Sequence, residues 1–259
     1  MRQFTLFYRK EMLEMVRSYK WVWVPVAFML LGVMQPVTSY YMPEILKHAG
    51  NMPQGTIITI PTPSSGEVLA QTINQYGTIG VLVLVLAMMG MIASEMRSGV
   101  GSMIFAKPIS MTTYMSAKWA SMMTLTTVSF LLGYAGAWYY TVQLFGNVDV
   151  NAAIQAGFIY LLWLLCICSI VLFVSAWLPH AAGVAFVSLI VIVLLSTASS
   201  LMSGMFPWNP SQLGVIASSL LVSGEIGQFP IASIISATLV VMVLCWFVSI
   251  PIMRKQRVA

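Results

Sequence analysis

The chain has 259 residues, of which 59% are hydrophobic and only 7% are charged. Soluble domains carry about 25% charged residues, so a chain this apolar cannot cover a water-facing surface and is expected to be an integral membrane protein with several spans. The formal net charge is +5, but no basic stretch with interleaved aromatic residues is present, which argues against nucleic acid as a partner.

The first predicted element, residues 3–20, is an amphipathic helix. At helical spacing the apolar side carries Phe4, Tyr8, Met12, Met15 and Tyr19, and the charged side carries Arg2, Arg9, Lys10, Glu14, Arg17 and Lys20. This pattern is typical of a helix that lies in the headgroup plane, with membrane lipid as its partner. On the charged side, Lys10 is spaced to pair with Glu14. A second interpretation, compatible with the first, is that this basic segment sets the orientation of the chain.

Six apolar stretches are long enough to cross a bilayer. The predicted spans are residues 21–40, 73–94, 119–144, 152–177, 182–202 and 230–253. Residues 42–72 are predicted to form a loop because they contain four prolines. In residues 203–229 the apolar middle is too short for a span and predicts a pair of re-entrant or surface-lying helices. We therefore predict an all-α integral membrane protein in which residues 1–259 form one transmembrane domain.

Positive charge is concentrated on one side of this predicted arrangement. Of the twelve Lys and Arg residues, five precede the first span, three lie in residues 95–118 and three follow the last span, which leaves Lys47 alone on the other side. Since basic loops stay in the cytoplasm, we expect a multi-pass protein of the cell membrane whose two termini and residues 95–118 are cytoplasmic.

Residues 95–118 carry one acidic and three basic residues in a chain with few charges. Such a segment must lie at a membrane surface, because its charges and open backbone groups would be unsatisfied in hydrocarbon. Gly99 and Gly101 permit a bend, and Pro108 is suited to begin a new helix. One interpretation is a coupling helix on which a soluble partner acts, and the other is an ordinary cytoplasmic loop. The residue pattern by itself favours neither.

The sequence lacks the residue patterns of a motor or an enzyme. No lysine follows a glycine, so the chain has no nucleotide-binding P-loop. The predicted span interiors contain no Asp, Glu, Lys, Arg or His, whereas ion-coupled carriers and intramembrane enzymes usually need such a group. We therefore expect no catalytic, metal or cofactor site in this chain, and the energy for any uphill transport would come from another polypeptide.

Four features of residues 95–118 resemble the membrane subunits of ABC-2-type transporters. They are Glu95 after the second span, Gly101-Ser102, Pro108-Ile109-Ser110, and Lys118 at the start of the third span. Met111 departs from the pattern, since many members carry a basic residue there, and Lys107 offers a substitute charge. The resemblance implies docking residues for a partner: Glu95, Arg97, Gly101, Ser102, Phe105, Lys107, Pro108, Ile109 and Ser110.

The partner implied by this resemblance is a cytoplasmic ATP-binding-cassette ATPase, which also contacts the N-terminal helix. That subunit would hold the ATP and Mg²⁺ and drive the transport, usually export. The resemblance further implies that two membrane subunits pair, either as two copies or with a paralogue, and that the substrate passes between them.

If two membrane subunits face each other, polar residues of spans one, two and five are candidates for the substrate route: Gln35, Ser39, Thr78, Ser188, Ser196 and Thr197. Helix packing is an alternative role, because Ser and Thr commonly mediate close helix contacts in membranes. The resulting hypothesis is a permease subunit that exports a hydrophobic or amphipathic substrate, such as a peptide, a lipid or a drug. A partner-free channel or carrier, and a structural or regulatory membrane protein without transport, are the alternatives.

Overall fold

The computed structural model describes residues 2–49, 63–97, 110–201, 208–225 and 230–256, and every regular element in them is helical. The α-helices are α1 (Arg2–Arg17), α2 (Lys20–Ala49), α3 (Ser65–Gln75), α4 (Val81–Met88), α5 (Ala93–Arg97), α6 (Met111–Phe145), α7 (Val150–Trp177), α8 (Ala181–Leu201), α9 (Gln212–Ser223) and α10 (Ile231–Gln256), and a π-helical turn, Tyr76–Gly80, joins α3 to α4.

Six helical stretches in the described residues have the length and apolarity of a membrane span. They are Lys20–Ile45, Ser65–Met96, Met111–Phe145, Val150–Trp177, Ala181–Ser199 and Ile231–Arg254. The predicted all-α architecture with six spans is therefore confirmed. The spans correspond to α2, the run from α3 to α5, α6, α7, α8 and α10.

The predicted loop over residues 42–72 is wrong at both ends. Helix α2 continues through Pro43 to Ala49, which is possible because neighbouring groups in a membrane protein can satisfy the carbonyl that a proline leaves open. Helix α3 begins at Ser65 because a capping box fixes its first turn: the Glu67 amide donates to Ser64 Oγ over 3.3 Å, and the Ser64 amide donates to Glu67 Oε2 over 2.8 Å. The second span thus starts eight residues earlier than predicted.

The third span also begins earlier than predicted, at Met111 and not at residue 119. Ser110 precedes the helix with the extended backbone of an N-cap residue, and its hydroxyl lies against that of Thr112. The polar residues of 111–118 are therefore the first two turns of α6. As a consequence, Lys118 lies inside a span helix and not at its entrance.

The region before the last span is more deeply packed than predicted. In the described part of residues 203–229, one helix, α9, lies between α3 and α7, with Leu213, Ile216 and Leu220 buried. The contact with α3 is close, because a Cβ built on Gly66 would lie 2.0 Å from the Leu221 carbonyl oxygen. Residues 203–207 and 226–229 lie outside the described residues. Helix α9 is thus packed between two other helices and does not rest on the surface.

Helix α7 is at the centre of the bundle, where it packs against α4, α6, α8, α9 and α10. The apolar 18-residue stretch of α7 is 72% buried, whereas the corresponding stretches of α2, α8 and α10 are 22%, 22% and 17% buried. The three outer spans therefore leave wide faces for lipid or for another protein.

Candidate functional site

Five charged side chains from three helices meet at the end of the molecule that carries both described termini. Lys10, Glu11 and Glu14 come from α1, Glu95 from α5 and Lys118 from α6. We call this group the ionic cluster. It fastens the N-terminal helix to the last turn of span two and to the first turns of span three.

Lys118 is the centre of the ionic cluster and has no exposed surface. Its ammonium group lies 3.1 and 3.0 Å from the two carboxylate oxygens of Glu11 and 3.0 Å from Glu95 Oε2. It also donates to the Met91 carbonyl oxygen over 2.9 Å. An ammonium group has three protons to donate, so these partners satisfy it completely. A buried charge is tolerated when it is paired and hydrogen-bonded in this way.

The contact with Met91 explains why span two can break where it does. Helix α4 ends at Met88 and α5 begins at Ala93, and a turn that contains Gly90 connects them. Carbonyl groups at the end of a helix lose their intrahelical partners and need others. Lys118 supplies a partner for one of them, so the same side chain pairs with two carboxylates and supports the break that precedes the predicted docking segment, residues 97–110.

Glu95 is the predicted docking residue nearest to this break, and only 4% of it is exposed. Its carboxylate accepts hydrogen bonds from Lys10 and from the Tyr114 hydroxyl, and it forms the ion pair with Lys118. The Tyr114 ring itself lies 5.1 Å from the Lys118 ammonium group. Glu95 therefore faces the interior of the ionic cluster and not a surface that a partner could contact. Its geometry fits a residue that positions the start of the docking segment.

Lys10 lies at the rim of the ionic cluster, with its side chain 37% exposed. Burial opposes its charged form, but the carboxylates of Glu11, Glu95 and Glu14 outweigh that effect and raise its pKa above the ordinary value. The stabilisation is present below the ordinary lysine pKa of about 10.4 and is lost only at more alkaline pH. The distance of 3.0 Å between Lys10 and Glu14 confirms the predicted pair on α1.

The carboxylate oxygens of Glu11, Glu14 and Glu95 lie within 4.8 Å of one another, a spacing that could hold a cation. The ammonium groups of Lys10 and Lys118 already lie among them. The arrangement is therefore an ion-pair network, and we assign it no metal.

The predicted apolar side of α1 packs against α6. The Phe7 and Tyr114 rings meet edge to face with their centroids 6.3 Å apart, the Tyr8 hydroxyl lies 3.0 Å from Thr124 Oγ1, and Met15 is buried. Tyr19, placed by the sequence on that side, lies beyond the end of the helix with a φ of 57° and is exposed.

The opposite face of α1 is therefore the one that is free of contacts with α6. Leu6, Leu13 and Val16 are exposed on it by 64%, 49% and 53%. Arg9 and Arg17 are exposed on the same face. We call this surface the outer face of α1. It offers an apolar strip with basic flanks to a partner or to lipid headgroups.

The remaining docking candidates lie at or beyond the ends of the described helices. Arg97 is the last residue of α5, and Ser110 is exposed immediately before α6. Gly101, Ser102, Phe105, Lys107, Pro108 and Ile109 lie outside the described residues. Glu95 and Lys118 thus hold the two helices, α5 and α6, that flank the predicted docking residues.

Two candidates for the substrate route, Gln35 and Ser39, come together at the other end of the bundle. The Gln35 amide donates to Gln71 Oε1 over 2.8 Å, and the Ser39 hydroxyl lies 3.5 Å from the same oxygen. All three residues line a pocket of about 560 Å³ between α2, α3 and α6. Thr78 is exposed further along the same span as Gln71, in the π-helical turn.

The candidates on α8 do not belong to that pocket. Ser188 is fully buried, as expected for a helix-packing residue. Ser196 and Thr197 are exposed, and the Thr197 hydroxyl donates to the Val193 carbonyl oxygen over 2.8 Å. Helix α8 packs mainly against α4 and α7.

Three residues of these sites were not predicted from the sequence: Glu11, Tyr114 and Gln71. Glu11 had a signal, because it follows Tyr8 by three positions and precedes Met15 by four, which places an acidic side chain on the apolar side of α1. Gln71 was assigned to a loop because the start of span two was set too late. Lys118, which the sequence placed just before the third span, lies two turns inside α6.

Comparison with known proteins gives two matches that extend over nearly the whole chain. A family model described as ABC-2 family transporter protein matches residues 6–249. The uncharacterized transmembrane protein YxlG of Bacillus subtilis (strain 168) is 32% identical over 239 residues, which cover 92% of this chain and 93% of the relative. The range matched by the family model includes every residue of the ionic cluster.

Proposed function

Because the chain belongs to the ABC-2 transporter family, we propose that it is the permease subunit of an ATP-driven ABC transporter of the cell membrane. A separate cytoplasmic ATPase binds ATP and Mg²⁺ and supplies the energy. The substrate is hydrophobic or amphipathic, such as a peptide, a lipid or a drug, and the direction is export. The ionic cluster carries this proposal, because it links the N-terminal helix to both ends of the docking segment.

The ionic cluster gives a physical route for force from the ATPase to the spans. Removing one partner of a buried ion pair costs about 3–5 kcal/mol, so α1, α5 and the start of α6 resist separation and move together. Helix α6 in turn packs along α2, which bears Gln35 and Ser39. A push on the docking segment is therefore delivered to the helices that line the candidate substrate route.

The ATPase contacts the permease at two surfaces in this proposal. One is the docking segment, residues 97–110, whose Lys107 and Ile109 offer a charge and an apolar side chain. The other is the outer face of α1, where Leu6 and Leu13 are exposed beside Arg9. Both surfaces carry the basic residues that mark the cytoplasmic side of a membrane protein. Glu95 and Lys118 do not contact the ATPase in this proposal. They hold α1, α5 and the start of α6 in fixed relative positions.

Co-purification from native membranes tests this proposal. The tagged full-length chain is extracted in a mild non-ionic detergent, and its partners are identified by mass spectrometry. We expect an ATPase with a P-loop, and we expect the double variant Lys107→Glu/Ile109→Asp to lose it. The matched control is the double variant Ile45→Asp/Lys47→Glu, which makes the same change of charge on the side predicted to be external.

Two results would contradict the proposal. The first is the absence of any P-loop ATPase from the purified wild-type complex. The second is a Lys107→Glu/Ile109→Asp variant that retains the partner in wild-type amount. A purified chain that moves solute across liposomes without ATP would instead support the partner-free carrier.

The polar residues on span two support pairing of two membrane subunits. Gln71, Asn74 and Thr78 are all exposed along one side of the span. Exposed polar side chains are costly in hydrocarbon and usually face protein or a water-filled path. A second copy of the chain, or a paralogue, that packs over this side would remove them from lipid and enclose the substrate route.

A further inference from the structure

An apolar slot lies beside the ionic cluster, between α1, α6 and α10. Its walls are Phe4 from α1, Ser116, Trp119 and Ala120 from α6, and Val243 and Trp246 from α10, and its volume is about 360 Å³. None of these residues takes part in the ionic cluster or lines the pocket at Gln71. The slot needs an occupant, because an open apolar groove of this size at a helix junction would otherwise lose packing contacts.

The slot lies at the depth of lipid tails and beneath a positive charge. Arg254 follows Val243 by eleven residues, close to three helical turns, so it lies on the same face of α10 about 16 Å nearer to the end of the helix. Arg254 is exposed there. One leaflet of the hydrocarbon core is about 15 Å thick, so the slot is at tail depth when Arg254 is at headgroup level.

One polar group in the wall also lacks a partner within the described residues. The indole N–H of Trp246 is buried and donates to no described protein atom. The other tryptophan in the slot differs, because Trp119 Nε1 donates to Ser169 Oγ over 3.0 Å. A buried donor without an acceptor is costly, and an ester oxygen of a bound molecule would satisfy it.

We propose that the slot binds one acyl chain of an anionic phospholipid, whose headgroup pairs with Arg254. The walls suit a hydrocarbon tail, the tail-depth position makes phospholipid the most abundant candidate, and the cation at the rim selects an anionic headgroup over a zwitterionic one. The bound tail bridges Phe4 of α1 and Trp246 of α10. The lipid therefore holds α1 at Phe4, while the ionic cluster holds it at Lys10, Glu11 and Glu14.

The test uses the purified full-length chain in a non-ionic detergent after removal of lipid. Phosphatidylglycerol or phosphatidylcholine with identical acyl chains is added, and the melting temperature and the number of retained lipids are measured, the latter by native mass spectrometry. For the wild type we expect phosphatidylglycerol to raise the melting temperature by several degrees more than phosphatidylcholine. We also expect one phosphatidylglycerol molecule to stay bound at the highest collision energy applied in native mass spectrometry.

Variants distinguish the contribution of the acyl chain to binding from that of the headgroup. Ala120→Phe fills the slot and is expected to abolish retention of the tightly held lipid, whereas Ala135→Phe, at an exposed alanine on the same helix, is expected to leave it unchanged. Val243→Trp fills the slot from α10 and keeps the test valid if Ala120→Phe fails to fold. Arg254→Gln is expected to remove the preference for phosphatidylglycerol, whereas Arg17→Gln, with the same loss of charge, retains it.

Three outcomes would overturn the proposal. One is an equal effect of the two phospholipids on the wild type. Another is a folded slot-filling variant that retains the tight lipid. The third is a co-purified peptide or other non-lipid molecule that Ala120→Phe displaces, since the occupant would then be a cargo and not a structural lipid.

Discussion

At the scale of single residues, the central observation is that Lys118 serves several partners with one ammonium group. It pairs with Glu11 of α1 and Glu95 of α5, and it donates to the Met91 carbonyl oxygen in the break of span two. Each of these partners is buried. The loss of the ammonium group would leave two carboxylates in a dry environment, which is far more costly than the loss of an exposed pair.

We therefore expect Lys118→Met to destabilise the protein by about 3–5 kcal/mol. Lys10→Met should cost less, because its ammonium group is partly exposed and Lys118 remains to neutralise the carboxylates. Melting temperature in detergent measures the effect. A second readout is tryptic cleavage after Arg9 and Arg17, which should accelerate in Lys118→Met as α1 leaves the bundle.

The double variant Lys118→Met/Glu11→Gln is the control for the electrostatic cause. It removes one of the two buried carboxylates that lose the ammonium group of Lys118, so it should melt closer to the wild type than Lys118→Met alone. A double variant that melts at a lower temperature than Lys118→Met, with equally fast cleavage, would show that buried charge is not the cause.

Several residue roles were within reach of sequence reasoning and others were not. An acidic residue among apolar ones on a short amphipathic helix, as at Glu11, is a readable sign of a buried pair. The identity of its partner is not readable, because Lys118 lies 107 residues away and only the packing of α1 on α6 brings the two together. Glu95 was identified by its position in the chain, but its burial depends on three helices at once.

At the scale of helices, α2 and α6 cross closely because glycines face each other. A Cβ on Gly32 would lie 2.3 Å from the Gly133 carbonyl oxygen, and a Cβ on Gly133 would lie 2.6 Å from the Phe28 carbonyl oxygen. The same carbonyl of Phe28 accepts a hydrogen bond from the Tyr76 hydroxyl over 2.9 Å. Small residues allow such close backbone approach in membranes. The π-helical turn begins at Tyr76 and orients its ring into this crossing.

Substitution of Gly133 by alanine should push α2 away from α6. The added methyl group meets backbone atoms, which cannot rotate aside, so we expect a loss of about 1–3 kcal/mol, as for other overpacked sites. Gly136→Ala is the matched control, since the nearest atom to its Cβ is a Val33 methyl group at 3.6 Å. Thermal unfolding in detergent compares them, and equal melting temperatures would contradict the close crossing.

The existence and order of the helices could be predicted from sequence because apolar length alone identifies a span. Their ends could not. The start of α3 depends on the capping box at Ser64 and Glu67, and the start of α6 depends on polar residues that pack against α1. The π-helical turn has no signal in composition, because it arises from the fit of Tyr76 against Phe28 and Phe130.

At the scale of the whole molecule, one side of the second span carries exposed polar side chains, which hydrocarbon would leave without hydrogen-bond partners. Asn74 and Thr78 are exposed there, one turn apart. The outer faces of α8 and α10 are in contrast lined by large apolar side chains such as Phe186 and Leu244. This difference indicates that the side of span two with Asn74 faces protein or water. It also indicates that the outer face of α10 faces hydrocarbon. Sequence alone did not show this side, because Asn74 was placed at the edge of its span.

We therefore expect a cysteine at Thr78 to form a disulfide between two membrane subunits. The native cysteines Cys166, Cys168 and Cys245 are first replaced by alanine, and membranes carrying Thr78→Cys are oxidised with copper phenanthroline. The expected result is a cross-linked dimer on a non-reducing gel. Leu244→Cys, exposed on the apolar face of α10, is the control and should remain monomeric. The same yield from both positions would argue against subunit pairing over span two.

The length of α6 has a consequence for where the ionic cluster lies. The helix has 35 residues, so it is about 52 Å long, whereas the hydrocarbon core of a bilayer is about 30 Å thick. Even a strongly tilted helix must protrude from such a slab, so the first turn of α6, before Lys118, can extend beyond the acyl chains. The buried charges of the ionic cluster can then lie close to the boundary between acyl chains and headgroups, where keeping Lys118 and its carboxylates in the membrane costs less than at the bilayer centre.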